Sequence, residues 1–190
     1  MTELSRDPIV NVVHNGIKED IRVLLSNRRY RGVLILVYSG IDTMAFIGMP
    51  EGQVEVKSQD FIEWADKYII FPCADQVTGD ELYGARCGIL HTYTPHSRLT
   101  RAGKCRVLGY MDKGVPEVRY NPQKSRELVM VSVPAIADAF LSGVDKFLID
   151  LYSDKQWARV ADERFKQLFQ ELPAKKRNRI TQQSASPDCQ

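Results

Sequence analysis

The sequence predicts a mainly α-helical (α+β) domain, a helical bundle that carries a small antiparallel three-stranded sheet. Apolar residues make up 44% of the 190 residues, enough for a buried core. They recur at helical spacing over most of the chain, whereas residues 105–133 alternate as strands do. We therefore expect an N-terminal extension at 1–15, a single helical domain at 16–172 with the sheet inserted around 104–133, and a disordered basic and polar tail at 173–190.

The first predicted helices follow from apolar spacing. The first helix is marked by apolar residues at i, i+4, i+7 and i+8, namely Ile17, Ile21, Leu24 and Leu25. A second helix is expected from Arg28 to Ile47, and its almost wholly apolar body makes it the central, buried helix. Asp42 lies within that body, where an unpartnered carboxylate would cost several kcal/mol, on the order of the penalty for a buried ion. We therefore expect a cationic partner for Asp42.

Capping signals mark the next two helices. Ser58 is predicted to cap a helix whose apolar face includes Phe61 and Ile62, with Asp60 near its positive end. Thr78 and Glu81 have the spacing of a capping box. This box is predicted to open a helix that carries Tyr83, Arg86 and His91.

The second half of the chain begins with the predicted sheet. Three runs are predicted to be strands, namely Cys105–Tyr110, Val115–Tyr120 and Leu128–Val133. Asp112-Lys113-Gly114 is predicted to be the turn of a β-meander. Ser132 and Pro134 then indicate the start of a long helix. Ser153 and Gln156 resemble a further capping box, which would open the last helix. That helix is expected to include Trp157, Val160, Phe165, Leu168 and Leu172.

The composition argues against membrane, secreted and metal- or disulfide-stabilised classes of protein. The longest apolar run, Val33 to Tyr38, is far shorter than the ~20 residues of a membrane span, and no secretory signal is recognisable. We therefore expect a cytoplasmic protein without a membrane partner. The four cysteines are scattered without a C-x2-C pair, which argues against a zinc ribbon or a disulfide framework. We expect no metal and no cofactor.

The feature that suggests chemistry is an arginine followed five residues later by a histidine, Arg86 and His91. On one straight helix the two would be ~7.5 Å apart along the axis and ~140° apart around it. The spacing therefore predicts that they form no tight site within one straight helix. They could meet if the helix ended before His91, or if two copies of the helix faced each other across a dimer axis.

The segment Tyr83-x2-Arg86-Cys87-Gly88-x2-His91 resembles the HEPN superfamily, whose hallmark is an Arg-x4-6-His motif, and more closely a motif of small uncharacterised prokaryotic proteins. The order of helices from Gly16 to Leu151 is also similar. The resemblance implies a HEPN-like helical bundle. Active members often carry Asn, Asp or His directly after the arginine, where this chain has Cys87. The resemblance therefore implies a metal-independent endoribonuclease or an RNA-binding relative that has lost activity.

The resemblance also implies roles for the motif residues. His91 would act as general base or acid on the 2′-hydroxyl of RNA, and Arg86 would bind the scissile phosphate. Tyr83 would donate a hydrogen bond or stack on a base. We expect a homodimer that joins two motif helices around a shared groove. Four basic residues are expected to bind the RNA backbone there, namely Arg98, Arg101, Lys104 and Arg106.

Three other interpretations compete with this hypothesis. The strongest is a non-enzymatic helical interaction or structural protein, in which Arg86 pairs with Asp42 and His91 caps its helix. Burial of Arg86 and His91 would favour it, whereas an open cleft lined by Tyr83, Arg86 and His91 would favour the ribonuclease. A zinc site could draw on Cys87 and His91, with Cys73 and His96 nearby in sequence, but the spacing matches no standard finger. Cys87 could also act as a nucleophile, although cysteines buried in helices are mostly inert.

Overall fold

The computed structural model describes residues 6–73, 75–112 and 117–171. It is 61% helical, which confirms the predicted mainly α-helical (α+β) fold. In the described ranges the helices are α1 (Glu19–Ser26), α2 (Tyr30–Gly48), α3 (Ser58–Tyr68), α4 (Gly79–Thr92), α5 (Arg98–Arg101), α6 (Val133–Ser153) and α7 (Lys155–Phe165). The strands are β1 (Val107–Met111), β2 (Val118–Tyr120) and β3 (Leu128–Ser132).

Helical structure starts earlier than the apolar spacing predicts. A π-helical segment, Ile9–Lys18, runs directly into α1, so much of the expected extension at 1–15 is helical. The Asp7 carboxylate accepts hydrogen bonds from the backbone N–H groups of Ile9 and Val10 at 2.9 and 3.0 Å, as a cap does. Val13 is fully buried, which ties the segment to the core. The missed signal is the Asp-Pro pair before the first apolar residues.

The central helix is α2, as predicted. Its glycine Gly40 lies so close to α6 that an added Cβ would stand 2.4 Å from Phe140. By length and composition α2 could also cross a membrane, which the short apolar run in the sequence did not suggest, although half of its apolar window is buried inside the fold. The predicted cap of α6 is confirmed, since the Ser132 hydroxyl accepts the backbone N–H of Ala135 at 3.1 Å.

The C-terminal end of α2 is held by α7. The Arg164 side chain is only 6% exposed and donates hydrogen bonds to three backbone carbonyls at this end. Its acceptors are Ile47 at 3.1 Å, Pro50 at 2.7 Å and Met49. The residue that caps α7 is Asp154 rather than the predicted Ser153, because the Asp154 carboxylate accepts two N–H groups of the first turn. Leu172 lies outside the described residues.

The sheet differs from the predicted antiparallel meander. Its strand order is β1-β3-β2, so the last strand in sequence is the central one. β3 pairs parallel with β1 and antiparallel with β2. Alternation predicts strands but not their neighbours, whereas Val129 and Val131 are both fully buried, as suits a central strand. The predicted turn lies mostly outside the described residues, since only its Asp112 is described.

Candidate functional site

Two antiparallel helices, α2 and α4, form the seam on which the motif lies. Asp42 of α2 contacts Arg86 of α4, whereas Leu34, two turns earlier on α2, lines the same cavity as Ile89, which comes later on α4. The predicted capping box fixes the start of α4: Thr78 Oγ1 accepts the N–H of Glu81, and the Glu81 carboxylate accepts the N–H of Thr78 at 2.9 Å.

Arg86 joins a carboxylate on one side to an imidazole on the other. Its Nε and Nη2 atoms lie 2.9 and 2.8 Å from Asp42 Oδ2, which confirms the predicted cationic partner of Asp42. Its Nη1 atom lies 3.1 Å from His91 Nε2. Because arginine only donates, His91 Nε2 is the acceptor and carries no proton in this contact. The cluster Asp42–Arg86–His91 is therefore a continuous hydrogen-bonded chain.

The expectation that one straight helix cannot unite Arg86 and His91 is wrong. Both residues lie within α4, which continues to Thr92. The angular separation describes the backbone, whereas the long arginine side chain spans the roughly one and a half turns between the two positions. The pair consequently needs no second copy of the helix to form.

Burial of Arg86 and His91 would favour the structural protein, and an open cleft lined by them would favour the ribonuclease; each condition is met in part. The Asp42 and Arg86 side chains are 27% and 22% exposed, so their pair is half-buried. His91 is exposed rather than packed. Arg86 therefore has the surroundings expected of a structural residue, whereas His91 is open to a ligand.

The electrostatics of the cluster follow from this half-burial. Burial raises the pKa of the Asp42 carboxyl, and the opposing hydrogen bond and charge of Arg86 do not fully offset it. Burial lowers the pKa of Arg86, but Asp42 outweighs this effect and the net shift is upward. Burial and the neighbouring Cys87 raise the pKa of Tyr83. At neutral pH Arg86 is therefore charged, and the Tyr83 hydroxyl keeps its proton and can donate it in a hydrogen bond.

A cleft of about 250 Å³ opens beside Arg86 and is bounded by Asp42, Val56, Lys57, Ser58 and Tyr83. Tyr83 is held by an edge-to-face contact with Phe61, with ring centroids 5.5 Å apart. His91 does not line this cleft and lies on the far side of the Arg86 guanidinium. The structure thus brings Tyr83 and Arg86 to one cleft, whereas His91 contacts Arg86 outside it.

Sequence reasoning missed the basic contribution of the α2–α3 connection. Lys57 is exposed and has no ion pair in the part of the chain that the structure describes. It precedes the first residue of α3, Ser58, whose N–H group lies at the positive end of that helix. The helix starts after Lys57 because the Asp60 carboxylate accepts the Lys57 N–H at 2.6 Å, so the predicted cap at Ser58 is one residue late. The cleft is therefore lined by two cationic residues, Lys57 and Arg86, and by one carboxylate, Asp42, while the Asp60 carboxylate caps the helix N-terminus beside it.

The four predicted basic binding residues fall into two groups. Arg98, Arg101 and Lys104 are exposed and form no ion pair with any described residue. Arg106 instead pairs with the buried carboxylate of Glu81 and lies 4.4 Å over the ring of Tyr120. Arg106 consequently stabilises the fold, and the first three remain candidates for contact with a phosphate backbone.

The position of α5 separates these cations from Arg86. A Cβ added at Gly84 would contact Ser97 and Thr100, and one added at Gly88 would stand 2.5 Å from the Thr94 carbonyl. These two glycines mark the face of α4 against which residues 94–100 pack. Arg86 points ~160° away from both, on the opposite face. The predicted basic residues on α5 therefore lie behind the motif helix rather than in the Arg86 cleft.

The competing metal hypothesis gains no support. In residues 6–73, 75–112 and 117–171 no group of three or more His, Cys, Asp or Glu side chains is placed to hold a metal ion. Cys73, Cys87 and Cys105 are free thiols.

Comparison with family models, with curated proteins and with solved structures finds no match for this chain.

Proposed function

We propose that the protein is a metal-independent endoribonuclease, or an RNA-binding relative, of the HEPN-like kind. The observation that supports the proposal is the Asp42–Arg86–His91 cluster. It places a charged guanidinium between a carboxylate that orients it and an exposed imidazole whose Nε2 is free of a proton. RNA cleavage needs one group that binds the phosphate and one that accepts a proton, and this cluster offers Arg86 for the first and His91 for the second.

The chemistry assigns one role to each residue. Asp42 fixes the guanidinium through Nε and Nη2, and Arg86 turns Nη1 towards a phosphate oxygen. His91 Nε2, released from Nη1, takes the proton of the RNA 2′-hydroxyl. The 2′-oxygen bonds to phosphorus as the bond to the 5′-oxygen breaks, and that oxygen takes a proton from water. The products are a 2′,3′-cyclic phosphate and a 5′-hydroxyl.

The charges of the cleft suit an anionic ligand. Lys57 and Arg86 line the cleft together with the single carboxylate of Asp42, and the N-terminus of α3, which Asp60 caps, begins there. Tyr83, which keeps its proton at neutral pH, supplies a neutral hydrogen-bond donor at the same cleft. An RNA backbone passing here would find donors on two sides.

A non-enzymatic helical interaction protein is the second candidate, and one observation favours it. The half-buried Arg86–Asp42 pair links α4 to α2 and has the form of a structural clamp. In this interpretation His91 accepts a hydrogen bond and has no ligand.

Single substitutions separate the two functions. His91→Ala should reduce cleavage of a fluorescent single-stranded RNA in EDTA by ~100-fold or more while leaving thermal unfolding unchanged, because His91 is exposed. His96→Ala is the matched control, since this exposed histidine lies in the next loop and its backbone carbonyl, which the substitution keeps, accepts the hydrogen bond from Thr94. Arg86→Ala should weaken both RNA binding and cleavage.

The outcome that would reject the proposal is a wild-type protein that neither binds nor cleaves RNA at low salt. If Arg86→Ala then lost stability without any effect on a ligand, the structural interpretation would stand. Retained binding with no cleavage would identify the RNA-binding relative, in line with Cys87 after the arginine.

The homodimer remains a prediction, but the contact within one chain removes the geometric reason for it. Sedimentation velocity at micromolar concentration tests it directly. A monomer that cleaves RNA would show that the cluster of a single chain is sufficient.

A further inference from the structure

A second cavity, of about 330 Å³, lies at the end of the α2–α4 seam. Its lining is mostly apolar and comes from three elements, α2, the end of α4 with its following loop, and β1. The residues that bear on its chemistry are Arg31, Leu34, Ile89, Tyr93, Leu108 and Tyr110. A cavity of this size and polarity holds a flat heteroaromatic ring with room to spare.

This cavity lies beyond Arg86, towards the C-terminal end of α4. Ile89 follows Arg86 by about one turn of α4, and Tyr93 comes directly after the last helical residue, Thr92. Along the axis the separation from Arg86 is ~5–10 Å, about the reach of one nucleotide from phosphate to base. A phosphate at Arg86 and a ring in the cavity can therefore belong to the same short stretch of a nucleic acid.

Tyr93 is held in an unusual backbone conformation at the mouth of the cavity. It ends α4 with a φ of 56°, in the left-handed region where glycine is the favoured residue. Its side chain is 59% exposed, so burial of the ring does not explain why a tyrosine occupies this position. Strained residues of this kind cluster at ligand sites, and an exposed aromatic ring is a stacking surface.

The cavity also borders one edge of the sheet. β1 pairs only with β3, so its other edge has no neighbouring strand within the described sheet. The N–H of Val107 points towards β3, since it donates to the Glu127 carbonyl at 2.6 Å. Backbone groups alternate in direction along a strand, so those of Leu108 and Tyr110 point to the other edge. Leu108 is fully buried, so of these two residues Tyr110 is the one with surface open to a ligand.

One cation stands at the rim. Arg31 is exposed and has no ion pair in the described ranges. The floor is neutral, because the Tyr110 and Tyr38 hydroxyls lie 2.5 Å apart and burial raises the pKa of both. An apolar slot with a cation at its mouth suits a ring that carries a phosphate.

We propose that this cavity binds a nucleobase, stacked on Tyr93 beside β1 at Tyr110, and with its phosphate at Arg31. The RNA source of that base rests on the proposed function, whereas the same chemistry would also bind a free nucleotide. The site would then read one base next to the scissile phosphate.

The test uses Tyr93→Gly, which removes the ring and relieves the left-handed backbone, so this variant should fold at least as well as the wild type. Binding of adenosine 5′-monophosphate, uridine 5′-monophosphate and a 12-nucleotide single-stranded RNA is measured by calorimetry or fluorescence anisotropy. We expect Tyr93→Gly to lower the affinity for the base-containing ligands about tenfold. Phe169→Ala, which removes an 88% exposed ring that does not line the cavity, should leave binding unchanged.

A second variant tests the phosphate side. Arg31→Gln should weaken RNA binding and lower the slope of log affinity against log salt by about 0.7, the contribution of one phosphate contact in a single strand. Ribose 5-phosphate, which lacks the base, should bind much more weakly than either nucleotide. Equal binding of ribose 5-phosphate and the nucleotides, or unchanged affinity in Tyr93→Gly, would overturn the proposal.

The failure of this proposal can be told apart from that of the proposed function. If the nucleotides bind in a Tyr93-dependent way but RNA is neither bound nor cleaved, the nucleobase site stands and the ligand is a free nucleotide. If His91→Ala abolishes cleavage but Tyr93→Gly leaves every affinity unchanged, the cleavage site stands and the nucleobase site is rejected.

Discussion

Replacement of Arg164 by Ala should be among the most damaging single changes in the chain. The guanidinium donates to the carbonyls of Ile47, Met49 and Pro50, at the end of α2 where the last carbonyls have no partner within the helix. Burial lowers the pKa of Arg164, but arginine keeps its charge at any ordinary pH, so the contact persists across the pH range.

The magnitude follows from those three acceptors. A buried carbonyl that loses its donor costs ~1–3 kcal/mol, and a cation at a helix C-terminus adds ~0.3–1 kcal/mol. Pro50 is exposed and can bond to water instead, so the three costs do not add in full. We expect Arg164→Ala to lower the free energy of unfolding by ~3–5 kcal/mol, a large share of the ~5–15 kcal/mol typical of a domain.

Urea unfolding followed by circular dichroism at 222 nm measures this loss. Arg164→Lys should show an intermediate loss, since one ammonium cannot reach all three carbonyls. The control is Arg159→Ala on the same helix, whose pair with Glu51 is more than half exposed, so that its loss should lower the free energy of unfolding far less than Arg164→Ala does. Equal unfolding free energies for Arg164→Ala and Arg159→Ala would refute the reasoning.

Three further predictions concern α2. Asp42→Ala should cost ~1–3 kcal/mol in urea unfolding, because it leaves Arg86 half-buried and unpaired, and a change below ~0.5 kcal/mol would contradict this. Burial raises the folded-state pKa of Asp42, so the folded state holds that proton more tightly. The free energy of unfolding of the wild type, relative to that of Asp42→Asn, should therefore increase as the pH falls through the folded-state pKa of Asp42. This gain should disappear as the pH rises above that pKa. A difference between the two proteins that does not depend on pH would contradict the prediction. Gly40→Ala should cost ~1–3 kcal/mol by overpacking against Phe140, whereas Gly32→Ala, which meets only a flexible leucine tip, should lower stability by less than ~0.5 kcal/mol or raise it. Equal melting temperatures for the two alanine variants would rule out the close approach at Gly40.

Local signals in the sequence were sufficient for most of the helices. The Thr78–Glu81 box and the Ser132 cap depend on residues three positions apart, and both are confirmed. Asp42 could be assigned a partner because a charge in an apolar helix must be compensated. These inferences need no knowledge of the tertiary fold, which is why they succeed.

Features that depend on distant parts of the chain could not be predicted. The position of β3 between β1 and β2 is a matter of topology, and alternating residues carry no information about it. Arg164 looks like any arginine on an amphipathic helix until α7 packs against the end of α2. The left-handed Tyr93 has no signature either, since glycine is the residue that would have indicated it.

For the candidate site, the spacing singled out Arg86 and His91, which the structure brings into contact, but the predicted geometry of the pair was wrong. Both residues were correctly predicted to lie on one helix. Their separation of ~140° around the axis takes no account of the length of the arginine side chain, which reaches His91. The Lys57 contribution was missed because the connection before α3 comes to Arg86 only through packing.

The strand order also bears on how the chain acquires its shape during synthesis. β1 leaves the ribosome first, but the partner it needs, β3, begins 21 residues later at Leu128. Until those residues emerge, the nascent chain exposes both edges of β1, and a hairpin of β1 with β2 would be a non-native pairing. Emergence of β3 as far as Ser132 is therefore the step that allows the native sheet to form, and until then β1 is an unpaired strand with which another chain could pair.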